Sequence, residues 1–137
     1  MVLVDSSVWI EAARRDGSME VKCGLEGLLE EFKAALCGVV WLEVLGGARS
    51  GERERMNAYF SVLPRLPSPE NAWDRAVEQA AKLGDHGLSI PWSDVLVATV
   101  ALMHDVRVYA RDRHFDRMAP ILGIRLYTPG YGGRFAR

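Results

Sequence analysis

The chain has 137 residues, 49% of them hydrophobic and 26% charged, a balance typical of a soluble globular protein and a length that suits one domain over residues 1–137. Its longest apolar run, residues 95–103, is too short to cross a bilayer and follows no segment that resembles a signal peptide, so we expect a cytoplasmic protein without a membrane partner. The net charge of −1 excludes a global basic field, and the two cysteines are too few for a disulfide framework.

Short apolar runs alternate with amphipathic segments along the chain. In chain order, we expect strands over residues 2–4, 35–38, 62–66, 106–110 and 124–127. We expect helices over residues 6–14, 20–34, 40–45, 52–59, 70–84 and 92–104, and a helical turn over 112–118. This alternation predicts an α/β fold with a mostly parallel sheet of four to five strands flanked by helices.

Four acidic residues stand in or beside the apolar runs: Asp5, Glu43, Asp94 and Asp112. Asp5 directly follows the first predicted strand, Asp112 follows the fourth, and Glu43 lies in the helix after the second. Such strand-to-helix junctions share the carboxyl edge of a parallel sheet, where these folds place their ligand sites. We therefore expect these three acids to converge, whereas Asp94 opens a helix and joins them only if that helix crosses the same edge.

Converging carboxylates need either protons or a cation, because two unit charges about 4 Å apart repel by roughly 4 kcal/mol at an effective dielectric near 20. Oxygen ligands without a His or Cys pattern suit Mg²⁺ or Mn²⁺, and such ions can activate water for attack on a phosphodiester. The alternative is that Asp5, Asp94 and Asp112 are helix caps. Glu43 favours a site, because glutamate is a poor cap and its apolar neighbours predict a burial that is costly without a partner.

Four segments carry a family resemblance: VDSSVWIE over residues 4–11, LEVLGG over 42–47, IPWSDVLVA over 90–98 and VYARDRHF over 108–115. In this order they resemble the motifs of PIN-domain ribonucleases, specifically VapC-type toxins of type II toxin–antitoxin modules. The resemblance implies a PIN-like three-layer α/β/α fold and a Mg²⁺- or Mn²⁺-dependent endoribonuclease that hydrolyses phosphodiester bonds in RNA with metal-activated water. It also implies a homodimer that a cognate antitoxin protein inhibits.

Carried over position by position, the resemblance makes Asp5 and Asp94 the main metal ligands. Glu43 would complete the metal sphere or orient its water, and Asp112 would complete the acidic pocket. Ser6 matches the small hydroxyl residue of the family, which is expected to bind a water or a phosphate oxygen.

Two positions depart from the family pattern. Ala110 stands where the family often has Thr or Ser, and His114 stands where it often has a further acid. His114 is open to three interpretations: a phosphate contact, a proton-transfer group or a structural residue. These departures leave open whether one ion binds or two.

Basic residues near the last acid offer a local patch for nucleic acid. Arg111 and Arg113 flank Asp112, where they would hold RNA phosphates or else pair with Asp105 or Asp116. Both interpretations stay open from the sequence.

The tryptophans near the acids also have two interpretations, as stacking platforms for RNA bases or as core residues. We expect Trp9 and Trp41 to be core and Trp92 to stand at the rim. The segments 20–34, 70–84 and 127–135 are candidate surfaces for an oligomer or an antitoxin. The rival functional hypothesis is a non-catalytic regulatory module whose acidic pocket binds a cation or an antitoxin.

Overall fold

A parallel sheet of four short strands forms the centre of the structure, a computed structural model that describes residues 1–130. The strands are β1 (Val2–Val4), β2 (Ala34–Cys37), β3 (Arg65–Leu66) and β4 (Arg107–Tyr109). The helices are α1 (Ser6–Ala13), α2 (Met19–Glu30), α3 (Gly38–Gly47), α4 (Ser50–Ser61), α5 (Ala72–Asp85), α6 (Trp92–His104) and α7 (Arg113–Leu122). The strand order is β3-β2-β1-β4, and every pair is parallel. The expected α/β class with helices flanking a parallel sheet is confirmed.

The core sits on the two central strands. Every residue of β1 and β2 is buried, which is why both strands read as unbroken apolar runs rather than alternating ones. The apolar stripes of the helices complete this core, with Val8 of α1, Leu28 of α2 and Val97 of α6 fully buried.

The register places the two strands that precede Asp5 and Asp112 side by side. Val2, Leu3 and Val4 of β1 pair with Arg107, Val108 and Tyr109 of β4. Both strands run in the same direction, so the residues that follow them emerge at one edge of the sheet.

Several expected boundaries are wrong, each for a local reason. The second helix ends at Glu30 rather than residue 34, because Phe32 adopts a left-handed φ of 56° and β2 already begins at Ala34. The expected strand 62–66 shrinks to β3. The expected helical turn 112–118 is the full helix α7, which Gly123 ends with a φ of 77°.

The expected last strand, 124–127, is also wrong. Within the described residues it is reduced to a single parallel bridge between Val108 and Leu126. Within residues 1–130 the sheet therefore has four strands. The candidate surface 127–135 lies partly outside the described residues. Among residues 1–130, no helix is both long enough and apolar enough to cross a membrane.

Candidate metal centre

Two of the four acids cap helices at the shared edge of β1 and β4. Asp5 is the N-cap of α1, and its Oδ2 accepts a hydrogen bond of 3.1 Å from the backbone N–H of Ser7. Asp112 is the N-cap of α7, and its Oδ1 accepts one of 3.0 Å from the N–H of His114. The backbone N–H of Asp5 also donates to the carbonyl of Tyr109 at 2.9 Å, which extends the strand pairing to the site. Sheet geometry and helix capping together hold these two carboxylates in place.

The hydroxyl of Ser7 connects the segment that contains Asp5 to the segment that contains Asp112. Ser7 Oγ donates a hydrogen bond of 2.6 Å to Asp5 Oδ2 and accepts one of 3.0 Å from the backbone N–H of Arg111. Ser7, two residues after Asp5, is thereby bonded to Arg111, the residue that precedes Asp112. Ser7 is not among the residues expected at the site; its only signal in the sequence is a hydroxyl two residues after an Asp, a spacing at which side chain and backbone commonly hydrogen-bond.

Asp94, Asp112 and His114 form a tight cluster. His114 Nδ1 lies 2.8 Å from Asp94 Oδ2 and 2.9 Å from Asp112 Oδ1. One ligand atom from each of the three residues lies within 4.8 Å of those of the others. Asp94 lies in the first turn of α6, whose N-cap is Pro91, so the helix-cap interpretation does not apply to Asp94.

Glu43 approaches the site from α3 but is not buried. Its side chain is exposed, as is that of its neighbour Leu42, so the expectation that apolar neighbours would bury Glu43 is wrong. These residues lie on the outward side of α3, while Val40 and Val44 face the core. Ser6, which is buried, donates a hydrogen bond of 3.2 Å from Oγ to Glu43 Oε1 and links α1 to α3 at this edge.

The ionised form of three of the acids, Asp5, Glu43 and Asp94, is disfavoured by burial and by the charges of neighbouring acids. Burial raises the pKa of Asp5, with a smaller contribution from the charge of Asp112 and opposition from the hydrogen bonds of Ser7. Burial also raises the pKa of Asp94 to about 6; hydrogen bonding from His114 opposes the rise, and the charges of Asp5 and Asp112 add to it. Loss of solvation and the charge of Asp5 raise the pKa of Glu43, even though this residue is at the surface. A bound cation would relieve all three shifts.

One buried oxygen indicates that the residues present fit a metal ion. Asp5 is only 2% exposed, and within the described residues its Oδ1 atom has no hydrogen-bond partner, because the capping and hydroxyl bonds both go to Oδ2. A buried carboxylate oxygen without a donor is costly unless a cation binds it. The donor set is carboxylate oxygens and one imidazole nitrogen, which suits a divalent cation.

Arg111 and Arg113, the two basic residues that flank Asp112, have different surroundings. Arg111 pairs with Glu11 of α1, with Nη1 at 3.7 Å from Oε1, so neither pairing expected for it is found. Asp105 is bonded by Arg125 instead. Arg113 is exposed at the start of α7, one residue from Asp112.

The tryptophans separate into one core residue and two surface residues. Trp9 is buried in edge-to-face contact with Phe60, with ring centroids 4.8 Å apart, as expected. Trp41 is 37% exposed, and the guanidinium of Arg65 lies 3.8 Å from its ring centroid, so its expected core position is wrong. Trp92 is 78% exposed at the start of α6, in line with the expected rim position.

The fold and its acidic edge define the class of protein: an open parallel α/β protein with a candidate divalent-cation site. The PIN domain family model matches residues 2–120. The chain therefore belongs to the PIN-domain family, as the four motifs indicated.

Two relatives show the likeness at sequence level. Ribonuclease VapC21 of Mycobacterium tuberculosis is 34% identical over 114 residues, which cover 80% of this chain and 83% of that protein. VapC ribonuclease Mb1587 of Mycobacterium bovis is 30% identical over 132 residues, with coverage of 91% and 96%.

Solved structures show the likeness of fold. FitAcB from Neisseria gonorrhoeae matches with a TM-score of 0.76 at 22% identity, over 94% of this chain and 98% of that one. VapBC2 from Rickettsia felis, bound to a DNA fragment from its promoter, matches with a TM-score of 0.75 at 19% identity, over 92% and 97%. At these identities the match concerns the fold alone.

Proposed function

We propose that this protein is a metal-dependent endoribonuclease, the VapC-type toxin of a toxin–antitoxin pair. The observations that carry the proposal are the buried Oδ1 of Asp5, which has no hydrogen-bond partner among the described residues, and the cluster of Asp94, Asp112 and His114. The names of the curated relatives, which are ribonucleases, supply the substrate class. Mg²⁺ or Mn²⁺ is the proposed cofactor.

In this proposal Asp5, Asp94 and Asp112 hold the cation, with Glu43 at the rim of the site. A divalent cation bound there supplies Lewis acidity, which favours deprotonation of water and offsets the charge that develops on a phosphodiester. No side chain acts as a covalent nucleophile. Ser6 orients Glu43 through its hydroxyl bond, which holds one oxygen of this exposed carboxylate against α1, next to Asp5.

His114 takes the place of a further acid in the family pattern. Its Nδ1 faces both Asp94 and Asp112, where it would serve as a nitrogen ligand in the tautomer that leaves Nδ1 without a proton, or as a hydrogen-bond donor to the carboxylates when Nδ1 carries one. This supports a structural and metal-binding role for His114 more than direct contact with RNA.

The two arginines have different parts in the proposal. Arg113 is exposed beside the cluster and is free to approach an RNA phosphate without first breaking an ion pair recorded among the described residues. Arg111 shares its charge with Glu11, so its contact with phosphate would be weaker.

We further propose an antitoxin partner and a homodimeric state. The antitoxin is supported by solved relatives of the same fold, one of which is a toxin–antitoxin complex from Klebsiella pneumoniae with a TM-score of 0.68. Exposed apolar side chains on the helices offer surface for such contacts, among them Ile10 of α1, Leu42 of α3 and Val77 of α5.

The test is cleavage of single-stranded RNA by the purified, antitoxin-free protein with Mg²⁺ or Mn²⁺. We expect cleavage that excess chelator abolishes and that Asp94→Asn reduces by at least about 100-fold, as expected when a group that stabilises charge in the transition state is removed. Glu78→Gln is the matched control, because Glu78 is exposed on α5 outside the acidic cluster.

Two results would contradict the proposal. Cleavage that survives in chelator would remove the metal from the mechanism. Divalent-ion binding that depends on Asp94 but is accompanied by no cleavage of any RNA would favour the non-catalytic regulatory module.

A further inference from the structure

A pocket of about 500 Å³ opens beside the acidic cluster, between the end of α5 and the start of α6. Gly87, with a φ of 76°, ends α5 and turns the chain back, so that the N–H of Leu88 bonds to the carbonyl of Leu83 at 3.0 Å. Leu83, Ile90 and Val95 are buried below the pocket, and Trp92 stands at its side. The pocket lies within the range of about 300–1,000 Å³ typical of small-ligand sites.

The chemistry of the pocket suits a flat, neutral group. No Lys, Arg, Asp or Glu is among its lining residues in the described part of the chain. The polar side chains are Ser89 and His114, and most of the remainder are aliphatic or aromatic. Such a lining favours stacking and apolar contact over recognition of a phosphate.

Trp92 lines the pocket, yet its side chain is unusually exposed for a tryptophan. It is 78% exposed, although a tryptophan is among the residues that gain most from burial. An exposed ring at the wall of an apolar pocket is the arrangement that proteins use to stack the bases of single-stranded nucleic acid.

His114 connects the pocket to the cluster. It lines the pocket and also contacts Asp94 and Asp112 through Nδ1. Trp92, two residues before Asp94, lines the same pocket, so a base next to a phosphate at the acids would lie on the side of Trp92. The charged part of such a ligand would meet the cation, and the uncharged part would meet the pocket.

We propose that the pocket between α5 and α6 binds the nucleobase next to the phosphodiester at the acidic cluster, stacked on Trp92, and so sets a base preference at that position. This inference rests on the proposed ribonuclease function. It assigns specificity to a pocket whose shape depends on the turn at Gly87 and on the first turn of α6.

The test compares Trp92→Ala, Trp92→Phe and the matched control Trp73→Ala. Trp73 is 65% exposed on α5 and does not line the pocket. Each antitoxin-free variant cleaves a pool of single-stranded RNA of random sequence, and the cut ends are sequenced. We expect Trp92→Ala to lower the cleavage rate by about 10-fold or more, as for loss of one base–aromatic stack, and to flatten the base preference at one position beside the cut. Trp92→Phe should keep that preference, and Trp73→Ala should match the wild type.

A binding measurement separates this inference from the proposed function. In an Asp94→Asn background, binding of an RNA oligonucleotide should quench fluorescence, and replacement of Trp92 by Phe should remove the quenching. If the wild type binds RNA with this signal but cleaves none, the proposed function fails and the pocket stands. If the wild type cleaves RNA and Trp92→Ala keeps both rate and base preference, the inference is overturned and the pocket is left to a protein partner.

Discussion

Replacing Asp94 by Asn should stabilise the metal-free protein near neutral pH, although it removes a proposed metal ligand. Asp94 is 8% exposed, and its surroundings raise the pKa of its carboxyl from 3.8 to about 6. At about 1.36 kcal/mol per pKa unit, this difference makes the ionised side chain cost about 3 kcal/mol of folding free energy. Asn has nearly the same shape, accepts a hydrogen bond from His114 and carries no charge.

Because the pKa of Asp94 is raised, the stability gained in Asp94→Asn should grow as pH rises. The folded state binds the Asp94 proton more tightly than the unfolded state does, so the wild-type protein loses stability from this group as pH rises from about 4 through about 6. Well below pH 4 the carboxyl is neutral in both states and the cost disappears. The difference in stability between Asp94→Asn and the wild type should therefore be small near pH 4 and reach about 3 kcal/mol above pH 7.

The assay is urea unfolding in chelator at several values of pH between 4 and 8, with Glu78→Gln as an exposed control that should stay within about 0.5 kcal/mol of the wild type. Added Mg²⁺ or Mn²⁺ should then stabilise the wild type and leave Asp94→Asn unchanged, because a ligand stabilises only the state that binds it. An Asp94→Asn protein that is no more stable than the wild type at pH 7.5, or a difference that does not vary with pH, would refute this account of the site.

Three further changes test other contacts. Ser6→Ala should lower the rate of RNA cleavage by about 10-fold, because Glu43 loses a charge-assisted hydrogen bond; the urea midpoint should stay near that of the wild type if the bond serves only the site. His114→Asp replaces an imidazole by a carboxylate and should shift the relative affinity from Mn²⁺ toward Mg²⁺, measured by calorimetric titration; an unchanged ratio would exclude His114 from the metal sphere. Gly24→Ala should destabilise the fold by about 1–3 kcal/mol, measured by urea unfolding, since overpacking strains a well-packed core. The added Cβ would lie 2.6 Å from Tyr109 Oη and 2.7 Å from Pro129 Cγ, and an unchanged midpoint would show that both neighbours can move.

The convergence of Asp5 and Asp112 was predictable because strand direction alone places them. Two adjacent parallel strands end at the same edge whatever their side chains are; Asp5 directly follows β1, and Asp112 lies three residues after the end of β4. The sequence offered capping and metal binding as alternatives, but Asp5 is suited to both. Its Oδ2 caps α1, while its Oδ1 has no hydrogen-bond partner among the described residues.

The exposure of Glu43 was not predictable from its neighbours. The run around it is almost wholly apolar, yet α3 turns Leu42, which is 72% exposed, toward the surface together with Glu43. A helix hydrophobic on most of its circumference does not reveal which side faces the core. That choice depends on how α3 packs against α1 and α6, which the local sequence does not contain.

Neither the contact of His114 with Asp94 nor the missing fifth strand among the described residues was predictable, because both depend on tertiary packing. His114 contacts Asp94 because α6 and α7 pack against each other. Its side chain, in the first turn of α7, points toward Asp94 on α6. The segment 124–127 has strand-like composition, but its pairing with β4 is limited to Val108, which bonds to the carbonyl of Arg125 and the N–H of Tyr127 on either side of Leu126. Pairing needs a partner edge over several residues, and composition alone does not provide one.

The acidic cluster draws on residues from both ends of the chain, so it is one of the last parts of the protein that can form during synthesis. Ser7 ties Asp5, near the start of the chain, to the backbone of Arg111, and β1 pairs with β4 just before these residues. A growing chain that has not yet reached residue 107 contains Asp5, Ser6 and Glu43 but has no β4 to complete the edge. Only after His114 has left the ribosome can the cluster close, so the unfinished protein carries no complete site.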